Sequence, residues 1–323
     1  MKKILYLPLL MAIIALAACG GGKGDDKPNN KYLHEDDVEY AADISFEPIM
    51  EELSELFSFR HPGASMIPHY VSEDSAIRMI IRDSVRLAIT TRKLTQQEQQ
   101  NIRSRGHNFK QSLFAFDAFA LIVNKNNPDT IINLSEIKKI ISGEITDWGQ
   151  LEVTHKTGEL NLVFDHSGSS TVRFMKDSLN GGKPIKGNVF AQGSNKEVIK
   201  MVQERQDVIG VVSTDWLRVY KGDTAIIESF QNLDVKVMMV GRYGLKDELG
   251  IDCKDWQRPY QYYIASNEYP LYRGVYVLST DSRKRSMVND FYFYLKGDAQ
   301  RVICNSSQLL PFSRVQVRDV VAH

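Results

Sequence analysis

The stretch from Leu160 to Phe174, LNLVFDHSGSSTVRF, is the clearest strand–turn–helix unit in the chain. An apolar strand pattern, 160–164, runs into a hydroxyl-rich turn, 167–171, and then directly into a helical pattern. Free N–H groups in the first turn of a helix favour anions, and Ser and Thr side chains add donors without bulk. The stretch therefore predicts a pocket for a small oxyanion on an α/β unit.

The same alternation of strand and helix extends outward through most of the chain, and it predicts an α/β fold with a largely parallel sheet. Helix starts are marked by Pro48, by Ser72, and by the capping boxes Thr95–Glu98 and Ser194–Glu197. Between 221 and 259 the pattern weakens, apart from an apolar run at 235–240. Further strands are predicted at 64–71, 85–91, 114–123, 208–212, 271–278 and around Val315, Val317 and Val320, and further helices at 135–143 and 285–295.

The N-terminus has the pattern of an export signal. Lys2 and Lys3 precede an apolar stretch, 4–16, that falls short of the roughly 20 residues needed to span a bilayer. It ends in Leu16-Ala17-Ala18-Cys19, which resembles the lipobox of bacterial lipoproteins, where the cysteine carries lipid such as palmitate; the alternative is an ordinary signal peptide with an incidental cysteine. We expect 1–18 to be a lipoprotein signal peptide, and 19–38 the lipidated Cys19 with a flexible tether.

Composition limits the classes of partner. The full sequence has 40 basic and 40 acidic side chains, and removal of Lys2 and Lys3 with the signal peptide leaves two fewer basic than acidic ones. The overall charge of the protein therefore does not favour binding to nucleic acid or to an acidic membrane surface. Any anion site must therefore be local. The 323 residues exceed the usual size of one domain, which predicts two lobes. Cys253 and Cys304 allow either one disulfide or two buried free thiols.

Three hydroxyl clusters stand at strand ends or helix starts: Ser45, Thr90 with Thr91, and the turn at 167–171. In a doubly wound sheet, ligands lie beyond the carboxyl ends of the strands, so these clusters are predicted to converge. For Ser45 alone, a plain helix N-cap is the alternative. One hydroxyl is enough to cap a helix, so the triplet Ser169-Ser170-Thr171 exceeds that need.

Asp165 and Arg173 flank the hydroxyl-rich turn and suit an anion in opposite ways. An arginine offers a planar fork of donors for phosphate oxygens. A carboxylate repels a fully ionised anion but accepts a hydrogen bond from one that still carries a proton, which favours phosphate over sulfate. The alternative is that Asp165 and Arg173 only pair with each other on the surface.

Motifs for catalysis or metal binding are missing from the sequence. Asp165, His166 and Ser167 are consecutive, so they cannot align as a hydrolase triad. There is no nucleophile elbow, no P-loop sequence, and no metal-ligand spacing among the seven histidines. No catalytic residue, metal or cofactor is therefore expected, and the aromatic side chains are assigned to packing. These are Trp148, Trp216, Trp256 and the tyrosines between 260 and 263.

Several short segments occur in an order typical of one family. They are DISFEPI at 43–49, AITTRKLT at 88–95 with Glu98, FDAFALIVN at 116–124, the segment 134–148, Ser169-Ser170-Thr171, Ile209-Gly210-Val211 and YPLYR at 269–273. From about 43 to 320 the chain resembles the phosphate-type substrate-binding proteins of ABC transporters, in the type 2 periplasmic binding protein superfamily. It departs from them in having Ser-Ser-Thr where Ser-Gly-Thr is usual, and Val163 and Phe164 where an arginine is common.

The resemblance implies two doubly wound lobes joined by two crossing strands, 116–123 and 271–278, with the ligand in the cleft between them. Lobe one would comprise 39–120 and 271–323, and lobe two 121–270. The implied ligand contacts are Ser45, Phe46, Thr90, Thr91, Ser169, Ser170 and Thr171, with Asp165 and Arg173 added by position.

The expected function is that of an extracytoplasmic protein, lipid-anchored to a bacterial membrane, that captures inorganic phosphate or a related oxyanion for an ABC permease. It is expected to act as a monomer, to bind no nucleic acid and to catalyse no reaction. The alternative is a sensor or surface adhesion lipoprotein on the same fold. A phosphate-releasing hydrolase is disfavoured, because nucleophile and metal motifs are missing.

Overall fold

The computed structural model describes residues 37–221, 224–226, 230, 233–242 and 256–313. The predicted signal peptide, the lipidated Cys19 and nearly all of the tether lie outside these residues. So do Cys253 and the strand predicted around Val315, Val317 and Val320. Cys304 lies inside them and is a half-buried free thiol.

Capping side chains set the helix starts largely as the sequence predicts. Ser72, Thr95 and Ser194 each accept a hydrogen bond from a backbone N–H of the first turn that follows. The helices are α1 Glu47–Arg60, α2 Glu73–Ile81, α3 Gln96–Ser104, α4 Leu134–Ser142, α5 Ser170–Phe174, α6 Asn195–Glu204, α7 Gln261–Ala265, α8 Met287–Lys296 and α9 Ala299–Ser306.

The strands alternate with these helices through most of the chain. They are β1 Asp37–Asp43, β2 Ser65–Val71, β3 Leu87–Thr90, β4 Lys110–Asn124, β5 Ile131–Asn133, β6 Asn161–Phe164, β7 Val189–Ala191, β8 Val208–Ser213, β9 Val219–Lys221, β10 Thr224–Ile226, β11 Val235–Val237, β12 Met239–Gly241, β13 Trp256–Gln257, β14 Tyr272–Ser279 and β15 Leu310–Pro311. Of the major elements, β1 and α9 were not identified from sequence periodicity.

The main sheet has the strand order β2-β1-β3-β14-β4-β8-β6-β7. The first strand group, β1 with β2 and β3, is parallel, and so is the second strand group, β6 with β7 and β8. Between them, β14 and β4 run antiparallel to each other and to their outer neighbours. The expectation of a largely parallel sheet is therefore wrong at the centre of the sheet, where two long antiparallel strands lie between the parallel groups.

The long strand β4 takes part in both halves of this sheet. Its first part, Lys110 to Ala118, pairs with β14, and its second part pairs with β8 and β11. On the second part, Gly210 of β8 lets α6 pack closely, because a Cβ there would lie 2.7 Å from Val202 and 2.9 Å from Val198.

Separate hydrophobic clusters cover the two strand groups. One contains Tyr40, Phe57, Phe114 and Phe291, and another contains Phe119, Trp148, Phe164 and Met175. Both α1 and α8 contribute to the first cluster, while α4 contributes to the second. The lobe boundaries, 39–120 with 271–323 and 121–270, stay a prediction.

Candidate functional site

The end of β3 carries Thr90 and Thr91, and both hydroxyls are engaged. Thr90 Oγ1 donates to the carbonyl oxygen of Arg92 at 3.0 Å. The backbone N–H and the hydroxyl of Thr91 both donate to Glu73 Oε1, at 2.5 and 2.7 Å. Glu73 lies in the first turn of α2 and is only 2% exposed. This carboxylate was not identified from the sequence.

The hydroxyl triplet at the start of α5 divides into three roles. Ser169 caps the helix, accepting a hydrogen bond from the Val172 N–H at 3.1 Å. Ser170 Oγ accepts from Arg273 Nη1 at 2.7 Å. Thr171 Oγ1 is buried and finds no hydrogen-bond partner among the residues that the structure describes. Capping thus accounts for one hydroxyl of the three.

Asp165, directly after β6, is fully buried. Neither of its carboxylate oxygens has a hydrogen-bond partner within the described part of the chain. Its backbone carbonyl accepts from the N–H groups of Gln192 and Gly193 after β7, which fixes the loop. A buried carboxylate with both oxygens unpaired is costly, so this position calls for a hydrogen-bond donor.

Arg173 pairs with Glu73 rather than with Asp165. Its Nε donates to Glu73 Oε2 at 2.8 Å, and its Nη2 donates to Thr91 Oγ1 at 2.7 Å. The alternative in which Asp165 and Arg173 pair on the surface is therefore wrong. The observed ion pair joins α5, which follows β6 of the second strand group, to α2, and the hydrogen bond to Thr91 joins it to the residue after β3 of the first strand group.

A second arginine, Arg273 of β14, was missed as a site residue although it lies within a matching segment. It is 5% exposed, and its Nε donates to Asp117 Oδ2 at 3.1 Å, directly across the strand pair. Its Nη2 lies 3.0 Å from the same oxygen but makes no hydrogen bond within the described residues. Ser213 Oγ donates to the other oxygen of Asp117 at 2.7 Å.

Burial dominates the ionisation of Asp117. It raises the pKa of this carboxyl to about 6, although Arg273 and Ser213 pull in the opposite direction. The Arg273–Asp117 pair is thus an ion pair above this pH, in the low-dielectric centre of the sheet. The sequence signal for the Arg273–Asp117 pair is a charged residue within each of two apolar strands, because buried charges need partners.

Ser45 and Phe46 form a short 3-10 turn before α1. Asp43 caps this turn and Phe46 occupies the N-cap position of α1, so the plain N-cap alternative for Ser45 is wrong. The Ser45 carbonyl accepts from Trp216 Nε1 at 3.0 Å. Its hydroxyl is buried and has no hydrogen-bond partner in the described ranges.

These segments meet through the two arginines. The Arg273 guanidinium lies 5.4 Å from the centre of the Phe46 ring and 4.4 Å from that of Phe119, while also contacting Ser170. Arg173 connects Thr91 to the same short helix as Ser170. Arg273 and Arg173 thus contact segments from all three hydroxyl clusters, which were predicted to converge.

Two pockets border this region. The first, of about 260 Å³, is lined by Glu73, Asp74, Ser167, Gly168, Ser169, Ser170, Val172, Arg173 and Lys176. The second, of about 290 Å³, lies beside Trp216 and the start of α1 and is lined by Glu47, Pro48, Glu51, Lys196, Ile199, Asp215, Trp216 and Arg218. Ser45, Thr91, Asp165 and Thr171 line neither of these two pockets and are buried.

A family model described as the PBP superfamily domain matches residues 29–298. The chain belongs to this family. A similar relative of this PBP superfamily protein is the phosphate-binding protein PstS of Bacillus subtilis, 22% identical over 98% of the chain and 96% of the relative. Protein SphX of Synechococcus elongatus is 21% identical over 54% of the chain, and the match spans only 53% of SphX.

Among solved structures, the PBP superfamily protein resembles a phosphate ABC transporter substrate-binding protein of Clostridium perfringens with bound phosphate. The TM-score is 0.66 at 20% identity, over 86% of this chain and 100% of the other. The α/β fold of type 2 periplasmic binding proteins and the resemblance to the phosphate-type family are confirmed. Within the described residues, no helix combines the length and apolarity needed to cross a bilayer, and no cluster of His, Cys, Asp or Glu is arranged to hold a metal ion.

Proposed function

We propose that this protein is an extracytoplasmic solute-binding protein that captures phosphate, or a related oxyanion, between its two predicted lobes for import by an ABC transporter. The names of the relatives, phosphate-binding protein PstS among them, support this ligand class. A lipid on Cys19 would tether the protein to a bacterial membrane. In this role the protein acts as a monomer and catalyses no reaction.

The main support is a set of buried polar atoms without hydrogen-bond partners in the described part of the chain. On the segments of the predicted site and on β14, the donors among them are Ser45 Oγ, Thr171 Oγ1 and Arg273 Nη2. The acceptors are both oxygens of Asp165. Buried polar groups are nearly always paired in folded proteins, and leaving one unpaired costs about 1 to 3 kcal/mol. A protonated tetrahedral oxyanion offers acceptors to the donors and a proton to the carboxylate.

The other predicted contacts complete this site. Ser170 accepts from Arg273, which leaves its own hydroxyl hydrogen for a ligand oxygen. The Arg273 guanidinium lies 5.4 Å from the centre of the Phe46 ring, a cation–π contact that helps to hold it in place. Ser169 shapes the loop by capping α5. Thr91 and Arg173 are bound to Glu73, and the Thr90 hydroxyl is bound to the carbonyl oxygen of Arg92.

The role assigned to Asp165 is to select an anion that carries a proton. Its carboxylate repels sulfate, which is fully ionised near neutral pH, and accepts a hydrogen bond from protonated phosphate. Hydrogen bonds to charged groups contribute about 1.5 to 3 kcal/mol, so the expected preference for phosphate over sulfate is at least tenfold.

Calorimetric titration of ligand-free protein with phosphate and with sulfate tests this proposal. The wild type should bind phosphate and discriminate against sulfate. Asp165→Asn should lose most of that preference, because the amide can also donate to a fully ionised anion. Asp177→Asn, which neutralises an exposed carboxylate on the same loop-to-helix segment, is the matched control. Equal affinity of the wild type for both anions would refute the role of Asp165, and binding of neither would favour the sensor or adhesion alternative.

A further inference from the structure

Glu73 is the most heavily bonded carboxylate beside the proposed site. One oxygen accepts from both the N–H and the hydroxyl of Thr91, and the other accepts from Arg173 Nε. Arg92 Nε lies 3.8 Å away and adds a further positive charge. The side chain is 3% exposed, so these interactions are shielded from solvent.

The partners of Glu73 are the kinds of donor that an oxyanion needs: a backbone N–H, a hydroxyl and a guanidinium. Here they surround a carboxylate of the chain itself. Thr91 and Arg173 are therefore committed to Glu73 and to each other, while Arg273 keeps an unbonded Nη2 among the described residues. The two arginines beside the site have different partners and different tasks.

We propose that Glu73 is a positioning residue that latches the cleft shut by binding Arg173 of the opposite predicted lobe. Glu73 and Thr91 belong to predicted lobe one, and Arg173 to predicted lobe two. Opening the cleft would break the Glu73–Arg173 and Thr91–Arg173 contacts and return three polar groups to water. The inference rests on the proposed function, since it concerns the release of the ligand held by that closure.

The latch stabilises the closed form whether or not the ligand is bound. It therefore acts mainly on the rate at which the cleft opens, and hence on ligand release. The competing assignment is the one predicted from the sequence, in which Arg173 contacts the anion directly. In that case Arg173 would contribute far more to affinity than Glu73 does, because Glu73 has no favourable contact to offer an anion.

The test compares Glu73→Gln, Arg173→Gln and the exchanged pair Glu73→Arg with Arg173→Glu in the full chain. Release of inorganic phosphate is followed by stopped-flow fluorescence, and the radius of gyration of the ligand-free protein by X-ray scattering. Each single variant should release phosphate about tenfold faster, the equivalent of 1.4 kcal/mol, and expand the ligand-free protein. The exchanged pair should recover most of the wild-type rate. Asp177→Asn, which removes the exposed carboxylate 4.0 Å from Arg173 on its own helical segment, should change nothing.

Unchanged release in both single variants would overturn the latch while leaving phosphate binding by the wild type intact. A loss from Arg173→Gln that exceeds that from Glu73→Gln by tenfold or more, with no recovery in the exchanged pair, would also overturn it and assign Arg173 to the anion. If the wild type binds no phosphate but the ligand-free Glu73→Gln variant is expanded, the latch is supported and the proposed ligand is rejected. If Glu73→Gln does not fold, Arg173→Gln supplies the same comparison from a side chain that is 30% exposed.

Discussion

Arg273 and Arg173 both contact the polar segments between the two strand groups, yet their surroundings differ. Arg273 is 5% exposed and lies on a central strand, opposite Asp117. Its Nη2 lies 3.0 Å from Asp117 Oδ2 and makes no hydrogen bond within the described residues. The Arg173 side chain is 30% exposed, lies on a five-residue helix and is bound to Glu73 and Thr91.

This difference shows how one residue type can be given two tasks by its partners. A guanidinium paired within a rigid strand ladder keeps its direction and presents a fixed donor to a ligand. A guanidinium on a short helix at the pocket edge can move with that helix, and its bonds to a neighbouring segment break when the segments separate. We therefore assign Arg273 to the anion and Arg173 to closure.

The largest expected effect comes from Arg273→Gln. Removing one partner of a buried, hydrogen-bonded charge pair costs about 2 to 5 kcal/mol, so phosphate affinity should fall by roughly a thousandfold. Arg273→Lys should be intermediate, because it keeps the charge but loses the fork. Isothermal calorimetry measures both, with Arg273→Gln combined with Asp117→Asn to remove the unpaired buried carboxylate. An equal loss from Arg173→Gln would break the division between the two arginines.

The pH dependence of stability tests the environment of Asp117, the partner of Arg273. Its folded-state pKa of about 6 lies above the ordinary 3.8, so the neutral carboxyl favours the folded state. That contribution is fully present below the ordinary value and is lost as pH rises through the folded value. The difference corresponds to about 3 kcal/mol. In urea unfolding between pH 4 and 7, Asp117→Asn should lack this decline, and identical pH profiles for the two proteins would contradict it.

The smallest effects separate two adjacent hydroxyls. Ser170→Ala removes the acceptor of Arg273 Nη1 and a proposed ligand donor, so phosphate affinity should fall about fivefold to tenfold, and the unpaired guanidinium should also lower stability by about 1 to 3 kcal/mol. Ser169→Ala removes a helix cap and should lower the unfolding free energy by about 1 kcal/mol while leaving phosphate affinity unchanged. Calorimetry and thermal unfolding distinguish the two. The reverse assignment of effects would place the ligand on the capping side of α5.

Local chemistry was enough to predict much of this fold. The capping box at Thr95, the cap at Ser72 and the apolar run that became β4 follow from neighbouring residues alone. The partners of the site residues could not be predicted in this way, because they are far apart in sequence. Glu73 and Arg173 are 100 residues apart, and Asp117 and Arg273 are 156 residues apart. Such pairs depend on strand order, and the alternation of strand and helix indicated only a largely parallel sheet, whereas β14 and β4 at its centre are antiparallel.

The continuous strand β4 has a consequence for how this protein loses its structure. Its hydrogen bonds to β14 and to β8 come from one strand, with a register shift where Val275 and Tyr276 pair with Ala115 and Leu113, so both strand groups depend on the same segment of backbone. We expect the two halves to denature together in one cooperative transition, unlike a pair of modules connected by a pliable linker.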